Sequence, residues 1–301
     1  MLRRFYSVSS RKHSFLPSLL SPDKSYELYR SLPQDDIVFV DASWHLNKER
    51  NANRINEHCS SRLPGSIFFD IDQICDQESA LPHMLPSQDL FSQRMGELGI
   101  ANSTLVVVYN TADSFSAPRV WWTLRAFKHP LVCVLDGGLE EWKRAGFPTE
   151  TGICSRAKCV YHANGFNPQM IATLNDVLSV VRTGHSQICD VRPEDRYRGI
   201  APEPRPGLEH GHIPGSLNIP SRLFLKDTDV TKFKSPKEID EIFQSHGVIR
   251  NARVVFSCGS GVTAALAAFA RCLSGVSENM SPVYDGSWAE WGSRNDTPKN
   301  K

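Results

Sequence analysis

Several features are missing from this 301-residue chain, and each absence excludes something. No apolar run approaches the ~20 residues that a membrane-spanning helix requires. Neither sign of charge dominates: 34 Lys and Arg stand against 33 Asp and Glu. Attachment to nucleic acid or to an anionic membrane by bulk charge is therefore not expected. Cysteine is sparse, with eight residues (59, 75, 133, 154, 159, 189, 258 and 272), and no two of them form C-x-x-C. That pattern fits neither a disulfide scaffold nor a zinc site built from cysteine pairs. Mostly free thiols in a reducing compartment are expected, with no metal or other cofactor.

Acidic residues are absent from the first 22 positions, which carry Arg3, Arg4, Arg11, Lys12 and six serines. An Arg- and Ser-rich, acid-free start resembles a mitochondrial transit peptide. Residues 1–22 are thus expected to be a leader, with the mitochondrion as the main compartment and the cytoplasm as a second one.

The remainder repeats itself. Asp41, ending the run Ile37-Val38-Phe39-Val40, matches Asp190 at an offset of 149. Pro64-Gly65-Ser66-Ile67 matches Pro214-Gly215-Ser216-Leu217 at 150, and Val107-Val108-Tyr109 matches Val255-Phe256-Ser257 at 148. Asp136-Gly137 with Glu141-Trp142 matches Asp285-Gly286 with Glu290-Trp291 at 149. Four ordered matches at a nearly constant offset indicate a duplicated domain. The expected organisation is 23–148, a polar linker at 149–168, and 169–301. Short β-branched runs alternate with helical stretches: strands at 188–191 and 253–256, helices at 235–245 and 262–273. The fold class is α/β, in tandem copies, each a parallel sheet with helices on both faces.

The copies differ most after the strand Val254-Val255-Phe256-Ser257. There Cys258-Gly259-Ser260-Gly261-Val262-Thr263 leads into the apolar stretch 264–269. A strand–tight loop–helix unit places its loop at the carboxyl end of the strand, where such sheets bind ligands. Gly259 and Gly261 let the backbone curl so that N–H groups point inward, and the helix start adds positive potential. Both effects favour a thiolate at Cys258. Cys272, deep in the helical stretch, fits a buried apolar thiol instead. Copy one has Asn110 at the aligned position, in Tyr109-Asn110-Thr111-Ala112, and is expected to be catalytically silent. Cys154 and Cys159 fall in the linker, and C-x4-C is too weak a pattern to make them more than incidental thiols.

Cys258–Thr263, together with Tyr284-Asp285-Gly286-Ser287-Trp288-Ala289-Glu290-Trp291, resembles the two-domain rhodanese family over about residues 35–292. The resemblance extends to Asp41-Ala42-Ser43-Trp44, Phe68–Asp72, His83–Pro86, Ser116–Trp122, Arg196–Gly199, Glu203-Pro204-Arg205 and Gly211–Gly215. It implies a sulfurtransferase in which Cys258 takes a sulfur atom as a persulfide and yields it to a thiol, cyanide or protein acceptor, such as thioredoxin or a sulfur-carrier protein. The loop residues Gly259, Gly261, Val262 and Thr263 would hold the anionic donor and the sulfur. Relatives specialised for the dianion thiosulfate carry basic residues just after the cysteine. Here Gly259 and Ser260 are neutral, which implies 3-mercaptopyruvate as the better donor. Arg196 and Arg205 match the family's substrate-binding arginines, with Arg198 supporting, and a guanidinium grips a carboxylate bidentately. Ser260, His83 and Asp72 match its proposed proton-transfer group. Since Asp72 and His83 come from copy one, the site is expected between the copies. His212, before the Ile-Pro-Gly turn, reads as structural.

Three alternatives stand beside this reading. A rhodanese-like phosphatase needs Cys-x5-Arg, but the sixth position after Cys258 is Ala264. A non-catalytic scaffold is disfavoured by Cys258 itself. A sulfur-relay protein feeding tRNA thiolation keeps the same chemistry, and a small-thiol and a protein acceptor both stay open.

Overall fold

The computed structural model describes residues 16–111 and 114–301. Arg3, Arg4, Arg11, Lys12 and Ala112 lie outside the described residues. The first half runs β1 (Leu19–Leu20), α1 (Pro22–Ser31), β2 (Ile37–Asp41), α2 (Lys48–Ser60), β3 (Ile67–Phe68), α3 (Gln88–Glu97), β4 (Leu105–Tyr109), α4 (Ala117–Ala126), β5 (Val132–Leu135) and α5 (Gly138–Arg144). The second runs β6 (Ile171–Ala172), α6 (Leu174–Thr183), β7 (Gln187–Asp190), α7 (Glu194–Tyr197), β8 (Leu217–Asn218), α8 (Pro236–Ser245), β9 (Val254–Ser257), α9 (Val262–Leu273), β10 (Val283–Tyr284) and α10 (Ser287–Trp291).

The two sheets have the same order, β1-β5-β4-β2-β3 and β6-β10-β9-β7-β8, and every paired strand is parallel. The central strands are apolar and buried along their length, as a sheet covered on both faces requires. Helix boundaries follow local chemistry. Ser235 and Glu238 form a reciprocal capping box with Pro236 at the first turn of α8. Thr173 and Asp176 do the same for α6, which ends at Gly184 in the left-handed region.

α4 and α9 are buried on nearly every side, which explains why both are apolar around their circumference. They pack on each other across the domain boundary, with the rings of Trp121 and Phe269 edge to face at 4.8 Å. Beside them Arg119 of α4 reaches Asp285 after β10. The two meet at 2.7 Å, as a charge contact rather than an aligned hydrogen bond, and both side chains are buried. Arg119 Nη2 also donates to the carbonyl of His83, and its guanidinium lies 4.5 Å from the ring of Trp122.

One expected boundary moves. Leu19–Leu20 pairs in parallel with Val134–Leu135, and Pro22 opens α1, so the folded domain begins before residue 23. Two apolar residues at the end of a basic leader carry too little periodicity to be read as an edge strand. The segment 149–168 runs along the first domain: Glu150 pairs with Arg62, and the Cys159 N–H donates to Gly96 O at 3.0 Å.

Candidate active site

β9 ends at Ser257, and Cys258 follows it with 2% exposure. The loop is pinned from outside by α10. The N–H groups of Trp288 and Ala289 donate to the carbonyls of Cys258 and Gly259, each at 2.9 Å. The Cys258 N–H donates to Ser287 Oγ at 3.2 Å, and that hydroxyl donates to Tyr284 O at 2.7 Å. With the carbonyls turned outward, the N–H groups of residues 259–263 have no acceptor among the described residues. They face the start of a 12-residue helix, where the macrodipole adds positive potential. This backbone cradle can stabilise a negative sulfur.

The cradle opens into a cavity of about 300 Å³. Its walls include Ser260, Val262, Thr263, Arg192, Arg196 and Arg205 from the second half, and Trp44 and Phe115 from the first. A Cβ on Gly259 would lie 3.3 Å from Arg196 Nη2 and 3.6 Å from Arg205 Nη1, so both arginines stand directly over the loop. Arg205 Nη2 donates to Ser260 Oγ at 3.1 Å. Gly261 sits differently from the expected donor contact. Its φ is +78°, and a Cβ there would come within 2.6 Å of Arg119 Nη1, so glycine lets the loop close against the interdomain arginine. Arg198 pairs with Glu194 on the surface. His212 stacks on Tyr197 at 3.8 Å and contacts Tyr197 O through Nδ1.

Asp72 and His83 line an adjoining bowl of about 410 Å³, and Arg205 forms a wall of both spaces. No hydrogen bond joins His83 to Ser260 among the described residues, and Arg205 lines both spaces. Burial raises the carboxyl pKa of Asp72, but the close approach of His83, the hydrogen bond from Asn51 and the charge of Arg54 outweigh it, so the net shift is downward. Trp44 Nε1 also donates to Asp72, at 3.1 Å. His83 adopts a positive φ of 61°, and its Nδ1 lies 3.3 Å from Asp72 Oδ1 without hydrogen-bond alignment. Burial, with the charges of Arg119 and Arg205, lowers the His83 pKa against the pull of Asp72, so the imidazole is neutral at pH 7.

The resemblance includes Glu203, but sequence reasoning assigned no role to it and did not single out Arg192. Arg192 is 1% exposed, chelates Asp190 and stacks 4.3 Å from Trp288. Glu203 bridges Arg192 and Arg196. Its neighbour Arg205 drew attention as a cation, whereas a lone Glu in a loop carries no pattern that marks it as buried.

The chain matches the family model described as a rhodanese-like domain twice, over residues 25–145 and 173–294. It is 43% identical over 258 residues to the human protein named 3-mercaptopyruvate sulfurtransferase, covering 85% of this chain and 84% of the relative. Its fold is similar to the Tum1 protein of Saccharomyces cerevisiae, with a TM-score of 0.85 and 29% identity over 95% of this chain and all of that one. It is also similar to the sub-stoichiometric sulfur transferase subunit of yeast mitochondrial complex I, with a TM-score of 0.83 and 30% identity over 95% and 100% of the two chains.

Proposed function

Because this chain belongs to the rhodanese family in both of its halves, we propose that it is a sulfurtransferase that moves sulfur from 3-mercaptopyruvate to a thiol acceptor through Cys258. The observation that carries the reading is the buried Cys258 in a cradle of unpaired amides beneath two arginines. The Cys258 thiolate attacks the sulfur of the donor. The carbon–sulfur bond breaks, its electrons pass to carbon as an enolate, and protonation of that carbon releases pyruvate. Cys258 is left as a persulfide, and an acceptor thiolate then attacks the outer sulfur and restores the free thiol.

Arg205 grips the donor carboxylate, Arg196 assists, and the amides of 259–263 hold the charge on sulfur. Ser260 protonates the enolate, and water entering the cavity returns a proton to its oxygen. That oxygen already accepts from Arg205, which polarises the O–H and leaves that proton free for the substrate. Neutral His83, oriented by Asp72, is the basic group on the acceptor side. Thiosulfate is the poorer donor. The acceptor is a small thiol or a protein; the complex I subunit among the similar structures favours a protein. The basic, acid-free start and that same mitochondrial relative support import into the mitochondrion.

The test is a two-donor assay on wild type and Cys258→Ser. Expected are a higher kcat/KM with 3-mercaptopyruvate than with thiosulfate, no turnover in the variant, and a single added sulfur on Cys258 by mass spectrometry after donor treatment. Equal or better use of thiosulfate overturns the donor assignment. An adduct on Cys154 or Cys159 overturns the nucleophile.

A further inference from the structure

Three guanidinium groups line the cavity, and two are already matched by carboxylates. Arg192 Nε lies 3.0 Å from each oxygen of Asp190, and Arg192 Nη1 donates to Glu203 Oε1 at 2.7 Å. Arg196 gives Nη2 to Glu203 Oε2 at 2.5 Å and Nε to Oε1 at 3.2 Å. The Glu203 side chain is 2% exposed, so water cannot replace these partners. Arg205 has no carboxylate partner among the described residues; its bond is to Ser260. Asp190, Arg192, Glu203 and Arg196 thus form a chain of alternating charge. It is anchored to the nucleophile loop, because Arg192 stacks on Trp288, whose N–H holds the carbonyl of Cys258.

The free amides of the loop and the start of α9 offset the Cys258 thiolate, and the three guanidinium groups against two carboxylates then leave one positive charge, centred on Arg205. We propose that Glu203 is a positioning and specificity-determining residue, which aims Arg196 and sets the cavity to accept a donor with a single negative charge while disfavouring a dianion. The inference rests on the donor reading above and deepens it. A carboxylate that docks on Arg205 breaks no ion pair. A second anionic group would have to share Arg196 with Glu203 and meet the uncompensated repulsion of that buried carboxylate.

The experiment is a charge cycle read as the ratio of kcat/KM for thiosulfate to that for 3-mercaptopyruvate. Glu203→Gln is expected to raise the ratio about tenfold, mainly through a lower KM for thiosulfate. Arg196→Gln with Glu203→Gln restores the net charge and should return the ratio to the wild-type value, although both KM values rise. A role confined to holding the fold would depress both donors together and leave the ratio unchanged, which overturns the proposal. Anion binding to Cys258→Ser, measured as a thermal shift with pyruvate or with sulfate at constant ionic strength, depends neither on turnover nor on the folding of a Glu203 variant. Pyruvate should stabilise the protein more than sulfate; equal or greater stabilisation by sulfate overturns the charge argument. Failure of both donors in the assay with pyruvate still preferred would instead overturn the assigned reaction.

Discussion

The carboxyl ends of the two central strands are the same place in two copies of one fold, and they are filled in opposite ways. In the second half the loop after β9 has free amides under a cavity of about 300 Å³. In the first, described residues flanking the loop after β4 give their donors to partners within the same half. The Thr111 N–H goes to Ser43 Oγ at 2.9 Å and the Ala117 N–H to Asn110 Oδ1 at 3.4 Å, while Ser116 Oγ donates to Ala42 O at 2.5 Å. The space beside Asn110 is about 20 Å³. Each half also covers the other. Residues 72–85 of the first half bring Asp72 and His83 to the bowl beside Arg205, and the Leu85 N–H donates to Asp285 at 2.7 Å. Residues 225–233 of the second half cover the space at Asn110, and the Phe233 N–H donates to Asp136 at 3.2 Å. Among the described residues, the first half thus has neither an open cavity nor a thiol at the position that matches Cys258.

The largest effect tests that statement. Placing a thiol in the silent half, as Asn110→Cys in a Cys258→Ser background, should leave activity at the background of Cys258→Ser alone. Mass spectrometry should find no sulfur added at residue 110. Recovered turnover would mean that the thiol was the only thing missing.

Next comes the asymmetry between Asp285 and Asp136. Arg119 matches Asp285 in a buried pair, so Arg119→Met leaves an uncompensated charge and should cost about 3–5 kcal/mol in denaturant unfolding. A loss below 1 kcal/mol would show that the two halves do not depend on this pair.

The smallest effects are pH dependences of opposite sign. Burial raises the pKa of Asp136 despite the Phe233 N–H. A carboxyl raised on folding contributes stability at low pH and loses it as pH rises through the folded value. Asp136→Asn should therefore be neutral at pH 7 or raise Tm by about one or two degrees. His83 is lowered on folding, so its share of stability is present above the unfolded value of 6.5 and lost as pH falls. His83→Gln should flatten the decline in Tm below pH 6.5, and an unchanged decline would remove His83 from the titration. Wild-type kcat/KM for the acceptor should be insensitive to this group above pH 6.5 and fall as pH drops through the folded value, which lies below 6.5.

Much of this was legible in sequence because periodicity and repetition mark backbone. The helix expected at 262–273 is α9 residue for residue, and the strand expected at 188–191 is β7 within one residue at each end. The Cys258 loop was legible for a related reason: two glycines between a β-branched run and an apolar helix mark a tight strand-to-helix turn. Leu19–Leu20 was not, since a two-residue edge strand has no period and is defined only by its partner β5. Glu203 and Arg119 were invisible as charges that matter, because a pair such as Arg119–Asp285 exists only after two distant segments dock. The resemblance grouped Ser260, His83 and Asp72, yet the fold inserts Arg205 between the first of them and the other two.

Cys258 is 2% exposed, and that burial bears on time as well as place. A persulfide on an open surface would be consumed by whichever thiol diffused past. One held in this cavity waits for an acceptor shaped to enter. On the proposed mechanism, the lifetime of a Cys258 persulfide would then be set by the doorway rather than by the sulfur.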